Sequence, residues 1–346
     1  AGVTFTPALD YNSNFTIATS VSDGVAPAIT GVKAMTGLPV NDAPTATNLS
    51  AAESYTEDTA LNLIDIVTSD VDSANITATL TLSDVAAGSL STATSGAVTS
   101  TFVGGVWTAS GAIANVNTLL AGVTFTPALD YNSNFTIATS VSDGVAPAVT
   151  GVKAMTGTAV NDAPVVDLNA GGAGNNVTTA FTEQTPVLIA PIATLTDVDS
   201  ANLSSLTVTL TARPDGNAVE SLALNATATT AASGAGLTVS YTAGTGVLSI
   251  TGAATRAVYE SILQGILYND TSDTPNAANR TINVVTNDGT TASVTRTVTL
   301  TVAAVNDAPT ATNLSAGETY TEDTALNLIN IVASDVDSAN VTVTLT

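Results

Sequence analysis

The 346-residue chain contains no cysteine and no histidine. The first absence excludes disulfides and thiolate metal sites, although by itself it does not identify a compartment. The second removes the commonest general base and the commonest transition-metal ligand. Any metal must therefore be hard and oxygen-bound, which points to calcium. Basic residues are almost as scarce. Lys33, Lys153, Arg213, Arg256, Arg280 and Arg296 stand singly against 29 acidic residues, for a net charge of −23. Such a surface repels nucleic acid and anionic lipid, and suits cation binding or plain solubility. Aromatic residues make up only 4%. No apolar run approaches the length of a membrane span. No leader segment is recognisable, but Ala1 lies inside a repeat, so the chain reads as a window on something longer.

That repeat is the strongest positive signal. AGVTFTPALDYNSNFTIATSVSDGVAPA, followed by GVKAMTG, occupies residues 1–37 and returns at 121–157 with one change, Ile29 to Val149. NDAPTATNLSAAESYTEDTALNLIDI from Asn41 returns from Asn306 as NDAPTATNLSAGETYTEDTALNLINI. Units of this length are whole domains, not solenoid turns. Asn-Asp-Ala-Pro stands at 41–44, 161–164 and 306–309. Its proline favours extended backbone and gives no ladder donor, so each copy reads as a stiff boundary. The expected organisation is the tail of one module (1–40), two complete modules (41–160 and 161–305) and the head of another (306–346).

The local pattern is β. Ile76, Ala78, Leu80 and Leu82 alternate with Thr77, Thr79 and Thr81. Segments 206–212 and 295–302 alternate in the same way. Runs of this kind, bounded by Gly, Asn, Asp and Pro, read as half-buried strands. SDG at 22–24 and 142–144 and NDG at 287–289 are turn signals. Residues 113–120 and 256–264 carry helical spacing, enough for one short helix or a 3₁₀ turn in each full module. The pattern predicts an all-β chain of β-sandwich modules with Greek-key connections.

The acids cluster near the module boundaries. Asn41-Asp42, Asn161-Asp162 and Asn306-Asp307 open the modules. A Thr-Glu pair follows, giving Glu57, Glu183 and Glu322. Then comes Asp-Val-Asp-Ser, giving Asp70 and Asp72, Asp197 and Asp199, and Asp335 and Asp337. A D-x-D step in an extended chain puts both carboxylates on one side. With a Glu from another strand and the boundary Asn-Asp, the set offers the six to eight oxygens that Ca²⁺ takes. Asp, Asn and Ser also favour turns for their own reasons, which is the competing account of each residue taken alone. The recurrence of the whole set favours calcium, because so dense a cluster repels itself without a cation. In the 161–305 module the set loosens: Gln184 stands where Asp58 and Asp323 stand in the other copies.

In their order, VNDAP, TEDTAL, SDVDS, GVTFTPALDYNSNF and SVSDG resemble the bacterial cadherin-like tandem repeats of large surface adhesins. Residues 161–305, with AVYESILQGILYND, RTINVVTNDG and AAVNDAP, resemble a second subtype of that group. The resemblance covers essentially the whole chain. It implies Ig-like, cadherin-like sandwiches in an elongated array, an extracellular or cell-surface location, and calcium near module junctions. By motif match the implied ligands are Asn41, Asp42, Glu57, Asp70, Asp72 and Asp143 in the first full module. Their counterparts are Asn161, Asp162, Glu183, Asp197, Asp199 and Asp288, and then Asn306, Asp307, Glu322, Asp335 and Asp337.

Other motifs carry less. The Asn-x-Ser/Thr sequons are what so Asn-, Ser- and Thr-rich a chain produces by chance. The glycines of 171–175 lack a strand–loop–helix context and read as a loop. Trp107, the only tryptophan, is expected in a core or on a strand face. Paired carboxylates can hydrolyse glycosides, but an enzyme seldom needs several copies of its site, so no catalysis is expected. The expectation is a calcium-stiffened extender segment whose partners are neighbouring modules, with an adhesive target bound through other regions. Neither nucleic acid nor a membrane is an expected partner. The alternative is a self-assembling extracellular filament or surface-layer subunit, in which identical chains join by strand complementation.

Overall fold

The computed structural model describes residues 2–346, which separate into two compact units divided between Val160 and Asn161. Each unit contains a sandwich of a six-stranded and a three-stranded sheet.

In the first unit the six-stranded sheet runs in the spatial order 101–103, 106–112, 75–82, 135–142, 149–158 and 53–56. All neighbours are antiparallel except the last pair, in which strand 53–56 runs parallel to 149–158. The three-stranded sheet is 61–62, 124–127 and 88–90. Sequence alternation becomes burial directly. Across strand 75–82, Ile76, Ala78, Leu80 and Leu82 are buried while Thr77, Thr79 and Thr81 are half-buried. Trp107 pairs with Leu80, is fully buried and donates its indole N–H to the Ser91 carbonyl at 3.0 Å. Helix α1 (Ile113–Ala121) packs Val116, Leu119 and Leu120 into this core.

The second unit repeats the plan. Its large sheet is ordered 177–182, 296–303, 280–287, 202–210, 247–255 and 238–242, with the first pair parallel. The small sheet is 187–188, 266–270 and 220–224. Helix α3 (Arg256–Gln264) lies where the helical spacing predicts it. Helix α2 (Ala226–Gly234) was not expected. Its Ala/Thr composition gives almost no apolar stripe, and only the Asn225 cap, accepting from the Ala228 N–H at 2.8 Å, marks its start.

The duplicated sequence provides a control inside the molecule. Strands 15–21 and 29–35 pair in the register of 135–142 and 149–158, Phe15 opposite Met35 as Phe135 is opposite Met155. They form only a two-stranded sheet. Ile17 is 36% exposed where Ile137 is 0%, and Val21 is 73% exposed where Val141 is 1%. The local sequence thus sets strand and register, and the opposing sheet sets burial. Residues 306–346 likewise form one small pair, 310–312 with 332–334, and stay largely exposed.

Candidate metal centre

At each boundary the acidic residues are joined by the same local build. The Asp-Val-Asp-Ser step is a turn, which corrects the expectation of an extended step. Asp70 Oδ1 accepts the backbone N–H groups of Asp72 at 2.9 Å and Ser73 at 2.7 Å. Asp197 accepts those of Asp199 and Ser200, and Asp335 those of Asp337 and Ser338. A short carboxylate satisfies the next two donors of its own backbone more readily than a strand would. The first Asp is therefore held through one oxygen only. The second Asp reaches the boundary tetrapeptide. Asp72 Oδ2 accepts the Asp42 N–H at 2.7 Å, Asp199 Oδ2 the Asp162 N–H at 3.1 Å, and Asp337 Oδ2 the Asp307 N–H at 2.6 Å.

The boundary asparagines point the same way. Asn41 Nδ2 donates to the Asp42 carbonyl at 2.9 Å and to Asp143 Oδ2 at 2.6 Å. Asn161 Nδ2 donates to the Asp162 carbonyl and to Asp288 Oδ2 at 2.7 Å, and Asn306 Nδ2 to the Asp307 carbonyl. Asp143 and Asp288 are themselves turn residues. The Val145 N–H and the Asn41 amide hold the Asp143 carboxyl below the usual range. At Asp288 burial works the other way, but the N–H groups of Thr291 and Thr290 and the Asn161 amide outweigh it, and the pKa falls.

The glutamates close the arrangement. Glu57 is buried, accepts the Val160 N–H through Oε1 and the Asn132 amide through Oε2 at 2.8 Å. Glu183 is buried and accepts the Val305 N–H at 2.7 Å. Each glutamate thus binds the residue just ahead of an Asn-Asp-Ala-Pro. Glu322 lies exposed. The residue after each glutamate is left-handed, with φ 57° at Asp58, 59° at Gln184 and 57° at Asp323. Gln184 keeps the turn without the charge, and its amide donates to Asp273 at 3.1 Å.

In the second unit Glu183, Asp273 and Asp307 offer oxygens within 4.8 Å of one another. Loss of water and then the charges of Asp337, Asp273 and Asp335 push the Asp307 carboxyl up. In the first unit Asp42 is pushed up by loss of water and then by Asp10, Asp72 and Asp70. Burial likewise raises Asp197. One oxygen each of Asp70, Glu183, Asp197 and Asp307 is buried without a hydrogen-bond partner. Asp10 and Asp273 were missed by the sequence reading. The available signal was the Asp that follows the 124–127 type of strand, repeated as Asp10 and Asp130 in TPALDYN.

Two fully buried basic residues are spent elsewhere. Lys153 pairs with Glu53 at 2.8 Å. Arg280 pairs with Asp215, Glu220 and Asp270 at 2.5, 2.9 and 3.2 Å, so that acidic trio already holds a cation. Among the described residues no ion pair reaches a boundary carboxylate.

No family profile and no curated protein matches the chain. Solved structures similar to it include domains EC1–3 of the mouse clustered protocadherin PcdhgC3, at 14% identity and a TM-score of 0.31, covering 84% of this chain and 76% of that one. Domains EC21–23 of human CDH23 match at 16% identity and a TM-score of 0.35, covering 84% and 74%. The C-terminal domain of the AgI/II polypeptide BspA of Streptococcus agalactiae matches at 10% identity and a TM-score of 0.26, covering 83% and 99%. Identities and scores this low bear on neither ligand nor partner.

Proposed function

We propose that the chain is a calcium-stiffened, non-catalytic extender segment of an extracellular bacterial adhesin or surface fibre. The observation that carries this reading is the set of buried, unpartnered carboxylate oxygens on Asp70, Glu183, Asp197 and Asp307, set among further acids that no basic residue neutralises. A buried carboxylate oxygen without a donor is costly, and a bound cation would offset that cost; Glu183 and Asp307, each with one such oxygen, share one gathering. All the donors are oxygens, and the chain has no cysteine or histidine, which suits Ca²⁺ over softer metals. Glu183, Asp273 and Asp307 would hold an ion in the second unit, and Asp10, Asp42, Asp70 and Asp72 in the first.

The function follows from where these acids are anchored. The second Asp of each turn ties down the Asn-Asp-Ala-Pro that precedes it, and Glu183 the residue before one, so an ion bound there would restrain the backbone at the boundary. Among the described residues no helix is long and apolar enough to cross a membrane. The adhesive target would be bound by other regions. The test is calcium titration calorimetry combined with small-angle scattering in calcium and in chelator. The reading expects saturable binding and a changed distance distribution. Absence of binding, or an identical distribution in both conditions, would overturn it.

A further inference from the structure

We propose that the edge strand 238–242 is a self-association surface, adding antiparallel to the same strand of a second copy of this chain. Strand 238–242, Thr-Val-Ser-Tyr-Thr, ends the six-stranded sheet of the second unit and pairs only with 247–255. Proteins usually guard such an edge with charge, proline or a bulge. Here there is none. Residues 221–255 contain no Asp, Glu, Lys, Arg or Pro. Of the two charged residues near it, Arg213 donates to the Gly244 carbonyl at the hairpin tip, beyond the strand, and the Glu220 carboxylate is buried and paired with Arg280. The opposite edge, 177–182, runs straight into buried Glu183.

Charge limits where two copies can meet. Two copies of a chain of net charge −23 repel over most approaches, and an uncharged stretch is where they can meet. The first unit makes the same choice: residues 85–129 are uncharged, and they include its corresponding edge, strand 101–103.

The edge also has an apolar seat beside it. Val239 and Tyr241 pair with buried Ile250 and Leu248, so they lie on the core face of the sheet. With Leu222, Leu224 and Leu237 they line a groove of about 440 Å³ between this edge, strand 220–224 and α2. In a two-fold antiparallel pair centred on Ser240, Val239 of one copy lies opposite Tyr241 of the other. All four side chains then fall on the groove side. A five-residue edge buries less than the ~1,200 Å² typical of stable complexes, so a single pair is weak, with a Kd on the order of 10⁻⁴ M. Several such edges along one fibre would add by avidity.

The test is sedimentation equilibrium of the 346-residue chain in chelator, which removes calcium bridging. We expect a dimer that strengthens as salt rises, because salt screens the mutual repulsion and the contact has no ion pairs to lose. Ser240→Lys should weaken it about tenfold, since two lysines would meet across the dyad. The chain has no cysteine, so Ser240→Cys reports contact directly. It should oxidise to a disulfide-linked dimer faster than Thr178→Cys, exposed on the opposite edge. A chain that stays monomeric at high salt would overturn the proposal. So would a dimer that salt weakens, a dimer indifferent to Ser240→Lys, or equal oxidation of the two cysteine variants.

Discussion

Replacing Lys153 by Met should destabilise the 41–160 sandwich by about 3–5 kcal/mol, the usual cost of leaving half of a buried ion pair. Lys153 Nζ is fully buried and donates to Glu53 Oε1 at 2.8 Å and to the Ile64 carbonyl at 3.1 Å. The other oxygen of Glu53 accepts the Ile64 N–H at 3.0 Å. Without the ammonium, Glu53 stays buried with one oxygen unmatched. The molecule also supplies the compensating change. Counting back from the parallel pairs Thr56–Thr158 and Thr182–Ala303, Thr179 and Val298 occupy the places of Glu53 and Lys153 in the second sandwich. There Thr179 Oγ1 donates to the Ile189 carbonyl at 2.9 Å and Val298 is fully buried. Glu53→Thr with Lys153→Val should recover most of the loss. Urea unfolding followed by Trp107 fluorescence isolates this sandwich, because Trp107 is the only tryptophan. Lys33→Met, in the same local sequence but exposed, serves as the control and should move the midpoint by less than about 0.5 kcal/mol. A Lys153→Met loss under about 1 kcal/mol, or a double variant no better than the single, would mean that the buried pair does not hold this sandwich together.

Calcium should raise the melting temperature and chelator lower it. Glu183→Gln, which keeps an acceptor for the Val305 N–H, should weaken calcium binding in the second unit while leaving the fold intact by circular dichroism. Because Asp42 and Asp307 hold their protons more tightly than free carboxylates, calcium affinity should fall as pH drops towards their raised values, as calorimetry can measure. Arg280→Met leaves Glu220 and Asp270 buried without their cation and should cost the second sandwich about 3–5 kcal/mol, read by hydrogen exchange of strands 266–270 and 280–287. Gly157→Ala puts a Cβ 2.1 Å from the Asn132 carbonyl, and Asn132 is the residue that holds Glu57. It should destabilise the first sandwich by about 1–3 kcal/mol in the same Trp107 assay.

Much of the fold was legible because its signals are local. Period-two alternation placed strands 75–82, 202–210 and 296–303, and the SDG and NDG turns fell where glycine takes positive φ, at Gly144 and Gly289. Helix α2 was not legible, since its stability comes from a cap and from packing and not from an apolar stripe. The candidate site was readable as a set of motifs but not as geometry. Whether Asp-Val-Asp-Ser runs extended or turns depends on competition for backbone donors, which spacing does not resolve. Asp273 was hidden for a different reason: it lies outside the repeated motifs and joins Glu183 and Asp307 only through the sheet pairing. The pairing of Lys153 with Glu53, 100 residues apart, is equally a product of register.

Comparing the two sandwiches separates what the fold can exchange from what the boundary requires. Tyr55 packs edge-on against Phe125 and Phe135 in the first, and those two are tilted against each other, with centroids 5.1–5.8 Å apart. In the second, Phe181 and Tyr268 keep the Tyr55–Phe125 contact at 5.0 Å. The register then places Arg280 where Phe135 stands, opposite Leu300 as Phe135 is opposite Met155. Glu220 and Asp270 correspondingly replace Gly88 and Pro127. A buried ionic cluster and an aromatic one thus occupy the same place, while at the Glu53–Lys153 position the ion pair belongs to the first sandwich and an uncharged Thr179–Val298 pair to the second. Cores tolerate such exchanges when volume is filled and charges are matched. The boundary hydrogen bonds are kept, although Gln184 replaces Asp58 beside them. In both sandwiches a glutamate accepts the N–H before Asn-Asp-Ala-Pro, the second Asp of the turn accepts the N–H of its Asp, and a turn Asp accepts its Asn amide. None of these contacts fills a core or closes a sheet. A packing role would have allowed apolar substitutes; a constant set of oxygens in a changing scaffold is what the proposed calcium site would require.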